Sequence, residues 1–262
     1  VGSAIRETVT LLIDGEIYAY RIASVCEYPL DWNDGDEVQM FADKEEGIDA
    51  LDAKISSIKN LLQADDVIIA LSESGNFRKD LNPDYKEQRK TVKKPVILKD
   101  LCEYMREAYH VCSHPKLEAD DVLGILQTAN KIKGTTIIVS ADKDLRTIPG
   151  LHFNPDKDKE VVRVLPDVAD YNFYFQTLIG DSTDNYKGCP GIGVKKATTI
   201  LNPLMKGSSS SKRWEAVLQT FLDKGLDEEN AIMNARMAYI LQGHNYNFKT
   251  KEFTLWNPPK IQ

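Results

Sequence analysis

VTLLID, residues 9–14, is a short apolar and β-branched run that stops at an acid, Asp14. It is too short for a helix and of the length of a strand buried on both faces. Two more runs share its form. VIIALS (67–72) is followed by Glu73, and TTIIVS (135–140) is followed closely by Asp142. Helical patterns lie between them. Residues 45–63 place Ile48, Leu51, Ile55, Ile58 and Leu62 on one side, and 98–110 and 119–132 read as two more helices. Strands alternating with helices predict an α/β fold, with a mostly parallel central sheet and helices on both faces. LHFN (151–154) and VVRVL (161–165) are expected to add edge strands.

Beyond residue 166 the pattern turns helical. YNFYFQTLIGD (171–181) carries a dense apolar face, VKKATTIL (194–201) follows a glycine-rich turn, and 213–223 and 227–241 read as further helices. KGSSSSKR (206–213) reads as a flexible loop. The expected organisation is a sheet core over 1–170 and a helical region over 171–262.

The 262 residues carry a net charge of −7, which argues against a general nucleic-acid binder. Locally the sign reverses. RKDLNPDYKEQRKTVKKPVILK (78–99) holds eight Lys or Arg against three Asp or Glu, so a polyanion is drawn there. A solvated basic helix or loop is the competing account. No apolar run is long enough to span a membrane, and VGSAIRETVT lacks the apolar middle of a signal peptide. The four cysteines are scattered, which suits reduced thiols in a cytoplasmic protein and speaks against zinc.

In sheets of this kind ligands gather beyond the carboxyl ends of the strands. Asp14, Glu73 and Asp142 stand there. LEADD adds Glu118, Asp120 and Asp121 at a helix start, with Glu118 and Asp121 on one face if the helix includes both. SADKD adds Asp142 and Asp144, which share a face if the chain stays extended. GDSTD adds Asp181 and Asp184. Any one cluster is explained as a helix cap or a solvated acid. Together at one sheet edge they repel one another unless cations neutralise them. Oxygen-only ligands select Mg²⁺ or Mn²⁺ over zinc, and a pair of such ions suits phosphodiester cleavage. Just after these acids, GCPGIG (188–193) lets backbone N–H groups approach a phosphate where a helix starts. An ordinary tight turn is the alternative.

LEADD, IIVSADKDL and LIGDSTDN followed by GCPGIGVKKA, in that order, resemble the 5′-nuclease (flap endonuclease) superfamily. FRKDLNPDYKEQRKTVKKP and YNFKTKEFTLWNP are similar to the 5′→3′ exonucleases of T-odd bacteriophages, and the resemblance runs from about residue 9 to 257. It implies a PIN-like core and, over about 178–201, a helix–three-turn–helix. It implies a first metal at Asp14, Glu73, Glu118, Asp120 and Asp142, and a second at Asp144, Asp181 and Asp184, with Asp142 shared. Asp121 follows as a supporting acid. The family has Asp where this chain has Glu73. A gateway or arch around 76–100 is implied, with Tyr85 stacking on a base and Lys86 and Arg89, three apart on one helix face, meeting the scissile phosphate. Arg78, Lys79, Lys90, Lys93 and Lys94 are expected on DNA, as are Gly191, Ile192, Gly193, Lys195 and Lys196 on the duplex backbone. The implied cofactors are two Mg²⁺ ions, with Mn²⁺ as substitute, and a K⁺ ion in the glycine-rich turn.

The implied activity is 5′→3′ exonuclease or 5′-flap endonuclease action on double-stranded DNA with a 5′ end, nick or flap, and on RNA–DNA hybrids. A monomer serving phage replication and recombination beside replication proteins is the implied setting. Two other readings share part of this pattern. A PIN-like ribonuclease shares the sheet and acids but lacks the glycine-rich grip. A non-catalytic DNA-binding protein keeps Lys86, Arg89 and the turn but has no need of the acids. Tyr171, Phe173, Tyr174, Phe175, Trp214 and Trp256 are expected to pack the core. His110, His114, His152 and His244 show no metal spacing.

Overall fold

A computed structural model describes residues 6–31 and 38–261. The N-terminal five residues, part of the stretch read above for a signal peptide, lie outside it.

VTLLID forms strand β1 (Val9–Asp14) at the centre of the sheet. Helix α1 (Gly15–Cys26) follows with no intervening loop, and Asp14 caps it by accepting the Ile17 N–H at 3.2 Å. The hairpin β2 (Tyr28–Asp31) and β3 (Val38–Phe41) leads to α2 (Lys44–Leu61) and β4 (Asp66–Ala70). After α3 (Phe77–Leu81) come α4 (Leu98–Ala108), β5 (Val111–Cys112), α5 (Ala119–Thr128) and β6 (Thr135–Val139). Strands β7 (Gly150–Phe153) and β8 (Val162–Val164) complete a six-stranded sheet in the order β5-β4-β1-β6-β7-β8. All neighbours are parallel except β7 and β8.

The two-residue alternation of each strand divides the core. Leu11, Ile13, Ile69, Ile137 and Val139 pack with residues of α1, α2 and α4. Leu12, Ile68, Ala70 and Ile138 face the opposite way, toward α5 and the helices beyond residue 165. Those are α6 (Pro166–Ile179), α7 (Val194–Leu201), α8 (Ser210–Leu222) and α9 (Glu228–Ala238), followed by the small hairpin β9 (Tyr246–Asn247) and β10 (Glu252–Phe253).

The boundary expected at 170 falls inside α6, because Pro166 starts that helix earlier than its aromatic face suggested. One hydrophobic cluster runs from Leu12 and Ile138 through Phe173 and Tyr174 to Trp214 and Trp256. The flexible loop expected over 206–213 is cut short at its C-terminal end. Ser209 caps α8, and buried Arg213 donates to Asp170 at 2.7 Å. Helix α1, the β2–β3 hairpin, β5 and the β9–β10 hairpin were not legible as elements.

Candidate active site

The sheet topology sets the ends of β1, β4 and β6 side by side, and the acids after β1 and β6 interact. Buried Asp14 accepts a hydrogen bond from the Ser140 hydroxyl at 2.8 Å. The same hydroxyl oxygen accepts the Asp142 N–H at 3.0 Å, so one serine registers both acids. Asp142 in turn accepts the Asp144 N–H at 2.7 Å. The chain therefore does not stay extended across this pair, since Asp144 opens a 3₁₀ turn (Asp144–Thr147).

Burial, offset in part by its hydrogen bonds and reinforced by Glu16 and Asp142, raises the Asp14 carboxyl to about 6. Burial and the charges of Asp14, Asp142 and Glu118 push Asp120 upward as well, and no hydrogen bond to its carboxylate is formed among the described residues. Asp142 is raised by burial and by the neighbouring Asp144 and Asp184.

The remaining acids are held by the chain's own cations. Burial alone raises Glu118, yet Arg78 and Lys86 bring it down to about 2. The Lys86 ammonium bonds Glu118 and lies 3.5 Å from Asp184. Arg89 donates to the other oxygen of Asp184 at 2.6 Å. The Tyr85 hydroxyl stands 3.0 Å from both Glu118 and Asp184 and donates to one at a time. Among the described residues no three acid, thiol or imidazole groups stand as a ready-made cage for an ion. The fit to hard divalent cations rests on the donor chemistry: repelling, half-buried carboxylates that supply oxygen only.

Asp181 and Asp184 sit on a tight loop. The Asp181 and Tyr186 backbones bond each other at 2.9 and 3.1 Å, and the Asp181 carboxylate accepts the Thr183 N–H at 2.6 Å. Gly180 and Gly188 cross at the base with positive φ, and a Cβ on either meets the other's backbone nitrogen at 2.4 Å. Gly193 then precedes helix α7 as its N-cap residue.

Several expectations are corrected. Arg78 is not a DNA contact: it is buried, pairs in bidentate fashion with Asp121 at 2.7 and 2.8 Å, and serves Glu118 and the Met237 and Tyr239 carbonyls. Asp121 is buried and belongs to this structural knot, also accepting the Leu241 N–H. Tyr85 has 3% of its surface exposed, so its ring packs inside and cannot stack on a base in this conformation. Lys86 and Arg89 share no helix face. Lys86 precedes a 3₁₀ turn (Glu87–Thr91) with φ +55°, yet both side chains reach Asp184.

Glu73 has partners of its own at the end of β4. It accepts from Ser113 at 2.6 Å and pairs with Arg106 at 3.0 Å, which keeps its carboxyl low. Ile192 is buried and anchors the turn rather than facing a ligand. Lys79, Lys90, Lys93, Lys94, Gly191, Gly193, Lys195 and Lys196 are exposed. The Lys196 ammonium donates to the Gly191 carbonyl at 2.9 Å, within the turn where the resemblance implies a monovalent cation. Ser140, Gln88 and Asn185 were missed. Only Ser140, just after a strand and two residues before an acid, carried a sequence signal.

The family model described as 5′-3′ exonuclease, N-terminal resolvase-like domain, matches residues 9–154. The chain belongs to this 5′-3′ exonuclease family. It is 29% identical to an exonuclease of Escherichia phage T7, over 95% of this chain and 93% of that protein. Its fold is similar to that of a bacteriophage T5 flap endonuclease in a pseudo-enzyme–product complex with DNA and metal ions, with a TM-score of 0.64, 16% identity and 88% of both chains covered. A T5 5′-exonuclease with bound zinc gives a TM-score of 0.62 at 16% identity, over 88% of this chain and 89% of that one.

Proposed function

We propose that this member of the family is a Mg²⁺-dependent nuclease that hydrolyses DNA phosphodiesters from a 5′ end, a nick or a flap, and removes RNA from RNA–DNA hybrids, in phage replication and recombination. The observation that carries the reading is the convergence of Asp14, Asp120 and Asp142, from β1, α5 and the loop after β6, into one mutually repelling group.

Asp14, Glu118, Asp120 and Asp142 are the proposed holders of one ion, and Asp144, Asp181 and Asp184 of another. When bound, such ions polarise water and stabilise charge on the departing oxygen. The chain's own residues do the rest. Ser140 orients Asp14 and Asp142. To Lys86 and Arg89, which reach Asp184, we assign the role of meeting the non-bridging oxygens of the scissile phosphate. Exposed Lys195 and the N-terminus of α7 suit the backbone of the duplex, in the region over 171–262 that we assign to duplex binding.

The test is cleavage of a 5′-labelled nicked duplex and a 5′-flap duplex with Mg²⁺ or with EDTA, sizing the products. Short 5′-phosphorylated products that need Mg²⁺, and that vanish in Asp142→Asn and Asp181→Asn, are expected. Full activity in both variants, or binding without cleavage, refutes the reading.

A further inference from the structure

Two segments about a hundred residues apart meet beside the acids. The Gln88 side-chain amide donates to the carbonyls of Ser182 at 3.1 Å and Thr183 at 2.6 Å. The Lys86 N–H donates to the Asp184 carbonyl at 3.0 Å. In the reverse direction the Asn185 amide donates to the Asp84 carbonyl at 2.8 Å. The contact thus runs as a ladder through main-chain oxygens of the loop that carries Asp181 and Asp184. On one side of the ladder stand Lys86 and Arg89, and on the other Asp184, to which both reach.

We infer that Gln88 is a positioning residue, fastening the segment that carries Lys86 and Arg89 to the 181–185 loop so that phosphate-facing cations and metal-facing acids are delivered as one body. The inference rests on the proposed nuclease reading for its catalytic consequence, but the fastening itself does not. Three features support it. The loop is already closed from below by the Asp181–Tyr186 bridge and the Gly180–Gly188 crossing, so its outer edge is the side left to be fixed. Lys86 takes a left-handed φ of +55° that a side chain rarely adopts, which a surrounding network must maintain. The Gln88 amide serves two carbonyls of consecutive residues, a pattern that only a donor can satisfy.

The test uses three substitutions in the full chain: Gln88→Met, which removes the donor; Gln88→Glu, which keeps the shape but offers acceptors only; and Gln88→Lys, which restores a donor. Hydrogen exchange of peptides covering 181–186, without DNA or metal, is expected to speed up in Gln88→Met and Gln88→Glu and to stay near wild type in Gln88→Lys. In single-turnover cleavage at saturating nicked duplex, the first two are expected to lose roughly tenfold or more in rate, because small misplacements of reacting groups are costly. Their DNA affinity, measured with Ca²⁺, should be unchanged, and Gln88→Lys should regain most of the rate. Unaltered exchange in Gln88→Met overturns the fastening. A loss confined to DNA affinity makes Gln88 a substrate contact and also overturns it. A wild-type rate in Gln88→Met with slowed cleavage in Gln88→Glu reduces the effect to charge and does the same. If the wild type itself cleaves nothing, the nuclease reading fails while the exchange experiment still decides the fastening.

Discussion

The Lys86 ammonium stands 3.5 Å from Asp184 while bonded to Glu118, so a cation of the chain bridges acids from the α5 cap and from the 181–186 loop. Burial disfavours its charge, and Glu118, Asp184 and Asp120 more than restore it. A divalent ion that uses either acid competes with this ammonium. Lys86→Met is therefore expected to bind Mn²⁺ more tightly without DNA, on the order of tenfold, while cleaving DNA more slowly. Paramagnetic resonance of free Mn²⁺ reads the affinity; weaker or equal binding contradicts the competition.

Arg78 is a structural cation with a partner in every direction of its guanidinium. Arg78→Ala strands buried Asp121 and is expected to cost about 3–5 kcal/mol in chemical denaturation. Arg78→Lys should recover only part, since an ammonium cannot reproduce the bidentate fork. A near-neutral alanine variant contradicts the burial.

The glycines around the acidic loop differ in what they are for. Gly180 has φ +68° and its missing Cβ faces the Gly188 backbone, whereas Gly191 has φ +71° with nothing within 4 Å. Gly180→Ala is expected to cost about 3 kcal/mol or more, strain added to overlap. Gly191→Ala should cost only about 1–2 kcal/mol, the strain alone. Urea unfolding of both variants checks the order, and equal losses contradict it.

How much of this was legible follows from how local each signal is. The three buried strands and the acids at their ends were read from period and length alone, and α7 from the glycines before it. Helix α1 opens on Gly15, a residue of low helix propensity, so its start carries no local helix signal. In the fold its bare Cα lets the helix start pack against Ile69 and Leu71. Arg78 sits in a basic run, and nothing local distinguishes it from Lys79; its partner, Asp121, lies across the fold. Glu73 likewise has the right place in the sequence, but Arg106 and Ser113 claim it. Gln88 acts on backbone oxygens, which no sequence pattern reveals.

Burial lowers the His152 imidazole to about 4, against 6.5 when unfolded, and its ring bonds the Ile148 carbonyl. The unfolded chain therefore takes up a proton that the folded chain refuses as pH falls below 6.5. This contribution to stability is constant above that pH and declines by about 2 kcal/mol on reaching about pH 5. The His152 ring resonances should stay those of a neutral imidazole across this range. Titration near 6.5 in the folded protein contradicts it.

In the proposed nuclease, acids from the ends of β1 and β6, the start of α5 and the 181–186 loop hold a pair of divalent ions. Counting Mn²⁺ bound to the full chain with an uncleavable 5′-flap duplex decides whether that pair exists. Two ions per chain are predicted, falling to one in Asp184→Asn with the flap still bound. No bound Mn²⁺, or a count that Asp184→Asn and Asp142→Asn both leave unchanged, contradicts the account.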